Sequence, residues 1–502
     1  MQTNNSINKS EISVLEAYFS KFRNEIVGIN ETFKTPFGEH KIVYTDWTAS
    51  GRLYKSVEDK IQHVFGPYVA NTHTETAITG TLMTKAYKEA RHIIKKHVNA
   101  DKNDVLITEG TGMTGVINKF QRILGLKINE NLKAHTEIPN EKRPVIFITH
   151  MEHHSNQTTW LETIAKVVVV PPNNEGLVCL KTFEEKIKAY QDTPIKIAAV
   201  TACSNVTGIQ TPYHDMARLI HKYGGLCFVD FACSAPYVNI NMHPEDTEAR
   251  LDAIMFSPHK FLGGPGTSGV LIFNNNLYKN QVPDNPGGGT VSWTNPWGNH
   301  KYFNDIETRE DGGTPGFLQT IRIALSVKLK EQMGVAQMLK REHELLNIVF
   351  GKLESIPNIN ILAPQQKDRL GVLSFYIDNL HYNLAVKLLN DRFGIQTRGG
   401  CSCAGTYGHY LLHVDEEMSN NITCEIDEGD LTHKPGWVRM SIHPTTTNKE
   451  IHFVCDAIIA LSQKFEVWSQ DYVRDKANNE FRHNAEQKNN YNCKIESWFD
   501  MG

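Results

Sequence analysis

Ser257-Pro258-His259-Lys260, followed by Phe261-Leu262-Gly263-Gly264-Pro265-Gly266, places one lysine between a hydroxyl and imidazole pair and a glycine-proline turn. The lysine comes directly after Leu251-Asp252-Ala253-Ile254-Met255-Phe256, an apolar run that reads as a buried strand. An ammonium at such a strand end loses hydration, which lowers its pKa and favours the neutral, nucleophilic amine. Such an amine forms Schiff bases with aldehydes, and pyridoxal phosphate is the biological aldehyde that most often uses one. A lysine stem snorkelling from a strand end is the plainer reading of Lys260 alone, so the rest of the chain has to decide.

That cofactor needs an acid, a phosphate cradle and a flat plate, and each has a candidate. Asp230 ends the strand Leu226-Cys227-Phe228-Val229, at the carboxyl edge where open α/β sheets bind ligands. An acid there would keep a ring nitrogen protonated; the alternative is a cap for the next turn. Glu109-Gly110-Thr111-Gly112-Met113-Thr114-Gly115-Val116-Ile117-Asn118 follows the strand Val105-Leu106-Ile107 and opens a helix. Its glycines and hydroxyls suit a phosphate held on backbone N–H groups, although Gly/Thr turns before helices are common. Met151-Glu152-His153-His154-Ser155-Asn156 follows a strand ending at Thr149, which sets two imidazoles on the same edge.

These residues need a scaffold, and the pattern from about Tyr44 to Phe273 supplies one. Short runs such as Val145–Ile148, Val167–Val170, Ile197–Val200, Cys227–Asp230 and Ala253–Phe256 alternate with helical spacing. That alternation predicts a mostly parallel sheet, buried on both faces, with crossover helices. Thr211 to Tyr223 has helical spacing and Gly224-Gly225 as its stop. Asn276 to Thr314, rich in Gly, Pro, Asn and Trp, reads as long functional loops. Gln319 to Ile348 reads as a helical stretch leading to a smaller α+β region with a strand at Val372–Tyr376 and a helix at Leu384–Phe393. Residues 407–437 read as a polar, irregular insertion, and the tail from 471 to 502 as peripheral. The expected division is a segment 1–43 packing on the small domain, a large α/β domain 44–305, a small α+β domain 306–470, and the tail.

The composition narrows the function classes. Lys+Arg of 52 against Asp+Glu of 56 gives a net charge of -4 with no basic block, which argues against nucleic acid as a partner. No apolar run is long enough to span a bilayer and Met1 to Ser10 lacks an apolar core, so a cytoplasmic protein off the membrane is expected. The 9 cysteines are scattered and odd in number, which favours reduced thiols. Cys401 and Cys403 form the single close pair, without a second Cys/His pair at zinc spacing, so no metal is expected.

Together these segments resemble class V of the fold-type I pyridoxal phosphate enzymes, in the group of cysteine desulfurases and selenocysteine lyases. The resemblance runs from about Tyr44 to Leu461. It rests on Ser257-x-His259-Lys260 with its Gly-Pro-Gly, Val229-Asp230-x-Ala232, Glu152-His153-His154-Ser155-Asn156, Ser204-Asn205-Val206-x-Gly208, Thr111-Gly112-Met113-Thr114 and Gly287-Gly288-Gly289-Thr290. It implies a large domain with a seven-stranded, mostly parallel sheet and a smaller α+β domain. By the same resemblance Lys260 holds the cofactor and moves protons, Asp230 holds the ring nitrogen, and His153 stacks on the ring and passes protons. Met113, Thr114, Ser257 and His259 hold the phosphate, helped by Thr290 from the neighbouring protomer of a homodimer. Asn205 lies near the cofactor's phenolic oxygen and the substrate, Arg439 grips the substrate carboxylate as a bidentate pair, and His73 also faces the substrate.

Within the class, Cys403 is the discriminating residue. In Thr397-Arg398-Gly399-Gly400-Cys401-Ser402-Cys403-Ala404 it aligns with the cysteine that attacks substrate sulfur, on a loop whose glycines permit movement and whose Arg398 would favour a thiolate. Cys401 is the alternative thiol. The expected reaction cleaves C–S or C–Se to leave alanine, with a sulfur-accepting protein as a further candidate partner. Three departures bear on the substrate: Cys233 stands where desulfurases carry Gln, Pro258 replaces a small residue, and the stretch from Cys403 to Arg439 is long. An aminotransferase or an isopenicillin N epimerase-like enzyme shares the frame. A scaffold without catalysis would have no use for Lys260, Asp230 and Arg439 together. A nicotinamide-binding fold is disfavoured because Gly110-x-Gly112 lacks the third glycine and the following acid.

Overall fold

The computed structural model describes residues 13–72, 74–476, 478–485 and 491–501. His73 lies outside the described residues, so its expected role toward substrate is not placed.

Seven strands form the central sheet, in the order Asp104–Glu109, Gly269–Asn274, Ala253–Phe256, Leu226–Asp230, Lys196–Thr201, Val145–Thr149 and Lys166–Val170. All run parallel except Gly269–Asn274, which is antiparallel to both its neighbours. The consequence for function is direct. Strands that point the same way deliver their following loops to one edge, so 150–156, 202–210, 231–237 and 257–266 emerge together.

Side chains alternate between two cores, as the strand period of two requires. Ile146, Ile148, Ile197, Ala199, Phe228 and Met255 face the helix Met113–Ile123 through Val116, Ile117 and Phe120. Phe147, Ala198, Val200, Cys227, Val229 and Ile254 face the opposite layer, with Phe183 and Ile187, Met216 and Ile220, and Ile323 and Val327 from three further helices. Both faces are covered, which explains the unbroken apolar runs.

A second sheet, in the order Ile359–Ile361, Val372–Ile377, Trp437–Ser441, Arg398–Gly400, is entirely antiparallel. Helices Val335–Leu353, Tyr382–Phe393 and Asn448–Trp468 cover it with Leu345, Val349, Leu388, Val454 and Ile458. The expected single helical stretch 319–348 is two helices, Phe317–Met333 and Val335–Leu353, broken at Gly334 with φ +76°. Residues read as an irregular insertion form helices instead, Gly405–Leu411 and Glu416–Asp427, the second capped by Asp415. Similarly, the glycine-rich region 276–314 contains an antiparallel hairpin, Val291–Thr294 with His300–Tyr302. Among the described residues no helix is long and apolar enough to cross a membrane.

Two contacts tie the chain's beginning to its end. Val43–Tyr44 pairs in parallel with Ile395–Gln396, and the backbone N–H of Thr48 donates to Ser441 Oγ at 2.9 Å. Gly51 then passes beneath the lysine turn, its N–H on the His259 carbonyl at 2.9 Å. A Cβ at Gly51 would lie 1.9 Å from the Phe261 carbonyl oxygen, so only glycine permits this crossing.

Candidate active site

A cavity of about 180 Å³ opens at the shared loop edge. Met113, Thr114, His153, Asn205, Asp230, Ser257, His259, Lys260, Cys403 and Arg439 all line it. The structure therefore gathers into one place residues that the sequence spreads over more than three hundred positions. A larger hollow of about 720 Å³, between the 172–176 and 359–365 turns, holds none of them.

Lys260 is half-buried, with its remaining surface on the cavity. Burial is the main cause that pushes its pKa below the ordinary lysine value; Arg439 and Arg398 add to this, while Cys233 and Asp230 oppose it. Asp230 is buried and its carboxyl is raised to about 6, again by burial, against the Ala232 N–H on its Oδ1 at 2.8 Å and the nearby Lys260. An acid and an amine that each lose water and face one another form a pair poised to exchange protons with a small molecule between them.

His153 Nδ1 accepts the Ser155 N–H at 3.1 Å, and burial together with Lys260 lowers its pKa to about 3. It is a neutral ring with its proton on Nε2. Ser257 Oγ accepts the Met113 N–H at 2.8 Å, and Thr114 Oγ1 lies 2.6 Å from Ser155 Oγ, so hydroxyls cluster at the start of the helix Met113–Ile123. Gly112, at φ +145°, precedes that helix; a Cβ there would sit 3.1 Å from Ser257 Oγ and 3.6 Å from the His259 ring. This close approach leaves the pocket floor to backbone N–H groups and hydroxyls, which suits an anion.

Arg439 is buried at the far wall. Its Nη1 donates to the Asn205 carbonyl at 3.2 Å, its Nη2 to Asp46 Oδ1 at 2.7 Å, and its Nε has no partner. Asn205 Oδ1 is likewise buried without a partner. Buried polar atoms seldom go unsatisfied. An unspent donor and acceptor on one cavity wall fit a bound molecule carrying both kinds of group. Asp46 was not foreseen in the sequence. It follows the short strand Val43–Tyr44, the same strand-end signal that marked Asp230, and its Oδ2 also accepts from Arg398 Nε at 3.1 Å. The Arg398 guanidinium, expected beside the Cys403 thiol, is thus engaged by a carboxylate. Thr48, Ala49, Ser155, Thr201, Cys203 and Ser402 also line the cavity, without having been assigned a role in the sequence.

Cys403 is exposed at the cavity mouth, whereas Cys401 packs in a separate apolar cluster with Tyr407 and Trp437. Ser402 and Cys403 both adopt left-handed backbone, φ +51° and +56°. Such residues cost about 1–3 kcal/mol each and persist only where the surroundings enforce them. Here Asn205 Nδ2 donates to the Ser402 carbonyl at 2.7 Å, Trp437 Nε1 to Ser402 Oγ at 3.1 Å, and the His154 N–H to the Cys403 carbonyl at 2.7 Å. The loop expected to move is tied at each of these points.

Thr290 stands outside the cavity. It is fully buried in its own turn, its hydroxyl donating to the Gly287 carbonyl at 2.6 Å. A group meant to reach a neighbouring protomer has to be on the surface, so the structure does not present Thr290 for that task. Thr294, Thr308 and Thr314 of the same region are exposed.

Burial also sets how stability should depend on pH. His153, His259, His150, His97, His381 and His443 are all held at about 3 to 4, chiefly by burial. Each takes a proton in the unfolded chain below pH 6.5 but not in the folded one, so stability falls as pH drops through that window. Asp230, Glu152 and Glu342, raised by burial to about 6, 7 and 8, act the other way but are fewer. The apoprotein's melting temperature is expected to drop by at least about 5 °C between pH 6.5 and 4.5. A flat thermal-melt profile across this range would contradict that balance.

A family model described as aminotransferase class-V matches residues 43–454. The chain belongs to that family. Among class-V relatives, a probable cysteine desulfurase of Halalkalibacterium halodurans is 28% identical over 72% of this chain and 84% of its own length. One from Staphylococcus aureus is 28% identical over 72% and 83%. In three dimensions the chain is similar to the apo cysteine desulfurase of Thermococcus onnurineus NA1, with a TM-score of 0.70, 22% identity, and coverage of 88% of this chain and 98% of that one. The cysteine desulfurase CsdA of Escherichia coli gives 0.69, 22%, 89% and 98%. At these identities the solved structures show the fold, and the class-V match covers most of the chain.

Proposed function

We propose that this class-V protein is a pyridoxal phosphate enzyme that removes sulfur from cysteine, or selenium from selenocysteine, and leaves alanine. The observation that carries the reading is the convergence of Lys260, Asp230, Arg439 and the Cys403 thiol on one small cavity. Similarity to relatives described as cysteine desulfurases supports it.

The residues fit the cofactor. Lys260 would hold its aldehyde carbon, Asp230 its ring nitrogen, His153 its ring face, and the Met113–Thr114 helix start with Ser257 and His259 its phosphate. When bound, the cofactor withdraws electrons from the substrate Cα. Everything else falls to the chain. Arg439, with Nε unspent, holds the substrate carboxylate, and Asn205 orients it through its free Oδ1. Lys260, which burial keeps neutral more readily than an ordinary lysine, takes the proton from Cα. Cys403 Sγ attacks the substrate sulfur; the S–S bond forms as the C–S bond breaks, and its electron pair returns to the carbon skeleton. In balance, cysteine and the Cys403 thiol become alanine and a persulfide on Cys403. A homodimer, a soluble cytoplasmic setting and a sulfur-accepting protein belong to the same reading.

With L-cysteine and a thiol reductant, alanine and sulfide are expected in equal amounts. Cys403→Ala is expected to lower that turnover by about 10²-fold or more, with the amino-acid-induced absorbance change retained. Unchanged turnover would remove the thiol from the reaction. A keto acid in place of alanine would move the protein to transamination, and a racemised amino acid to epimerisation.

A further inference from the structure

We propose that His154 is the positioning residue for Cys403, clasping the thiol-bearing turn from both sides through a ring nitrogen that must act as an acceptor. This rests on the desulfurase reading only in making Cys403 the group that matters.

Two hydrogen bonds from one residue bracket the cysteine. The His154 backbone N–H donates to the Cys403 carbonyl at 2.7 Å. Its ring Nε2 accepts the N–H of Gly405, two residues further on, at 3.0 Å. An imidazole that accepts at Nε2 is neutral, with its proton on Nδ1. Partial burial and Lys434 lower its pKa, in keeping with that form. Gly405 opens the helix Gly405–Leu411, and its N–H is one of the first-turn donors that no helical carbonyl can satisfy. The imidazole therefore serves as this helix's N-terminal acceptor while its backbone fixes the preceding carbonyl. The approach is tight: a Cβ at position 405 would lie 3.2 Å from Nε2. Ser402 remains tied to Asn205 and Trp437, so opening the clasp frees chiefly the left-handed backbone at Cys403.

His154 does not itself line the cavity, unlike His153 one residue earlier, and meets it through Cys403 and the neighbouring His153 ring. The two hydrogen bonds that bracket residue 403 direct its effect to the position of Cys403 Sγ.

The test uses His154→Ala, His154→Gln, whose amide oxygen can take the place of Nε2, and Gly405→Ala, each in the cofactor-loaded protein. His154→Ala is expected to lower kcat for cysteine by about 10- to 100-fold with KM within about threefold, since a displaced nucleophile costs rate rather than binding. His154→Gln is expected to stay within about fivefold of wild type. Alkylation of Cys403 by iodoacetamide, read by mass against the exposed Cys424, is expected to rise about fivefold in His154→Ala and to stay unchanged in His154→Gln. Gly405→Ala should impair the wild type but add nothing to His154→Ala, because both disturb one contact. Wild-type kcat and alkylation in His154→Ala, a glutamine variant as impaired as the alanine one, or losses that multiply in the double variant would each overturn the proposal. Should His154→Ala fail to fold, the glutamine and Gly405→Ala comparison decides alone. Cysteine turnover that survives Cys403→Ala would sink the desulfurase reading, while the alkylation ratio would still report on the clasp.

Discussion

Lys260→Ala is expected to abolish turnover of every amino acid, by about 10⁴-fold or more, and to leave a folded protein that borohydride cannot link to pyridoxal phosphate. Both effects follow from one side chain. Lys260 closes the strand-end turn Pro258–Lys260, and its amine shares the cavity with Asp230, Cys233 and Arg439, where burial disfavours its charged form. Alanine removes the only amine that lines that space among the described residues while leaving Ser257 and His259, so the anion floor stays intact. Borohydride labelling followed by peptide mass is the direct check. A reduced adduct found at another lysine in the wild type would overturn the assignment whatever the kinetics showed.

Asp230→Ala should rank second. The carboxyl is buried, with one backbone N–H and a nearby amine as its favourable company. Its removal leaves no acid on that wall to hold a heterocyclic proton, and turnover is expected to fall by about 10³-fold with weaker cofactor retention. Asp230→Glu, which keeps the charge but lengthens the arm, should recover part of the loss. The variant is also informative about folding. Because burial raises this carboxyl, its charge is a burden on the empty protein at neutral pH, and Asp230→Ala should melt no lower than wild type there. A large loss of thermal stability would mean that Asp230 is a structural cap, the plainer reading of its position.

The sheet was legible in the sequence because both its faces are covered. Runs such as Val145–Ile148 and Ile197–Val200 carry no polar residue, and that continuity marks a strand without any knowledge of its neighbours. The strand-end rule then picked out Asp230, His153 and Lys260, which line one cavity. What stayed hidden depended on distance. Asp46 meets Arg439 from 393 positions away, and no local pattern announces the partnership. The helices at 405–411 and 416–427 escaped because their exposed, polar faces lack a clean apolar stripe; no residue of the longer one is buried. Thr290 came from the family resemblance and not from any local pattern, and in this chain its hydroxyl is spent on the Gly287 carbonyl within the same turn.

The stitching of Thr48 to Ser441 and of Gly51 to the His259 carbonyl has a consequence for how the molecule is made. The lysine turn leaves the ribosome about 180 residues before Arg439 and Ser441, which at ordinary elongation speeds is about 10–40 s. For that interval the nascent polypeptide carries its reactive amine without a roof, and the carboxylate clamp of the substrate wall has yet to be synthesised. On the proposed reading, capture of a substrate carboxylate therefore waits until the strand that carries Arg439 has been made.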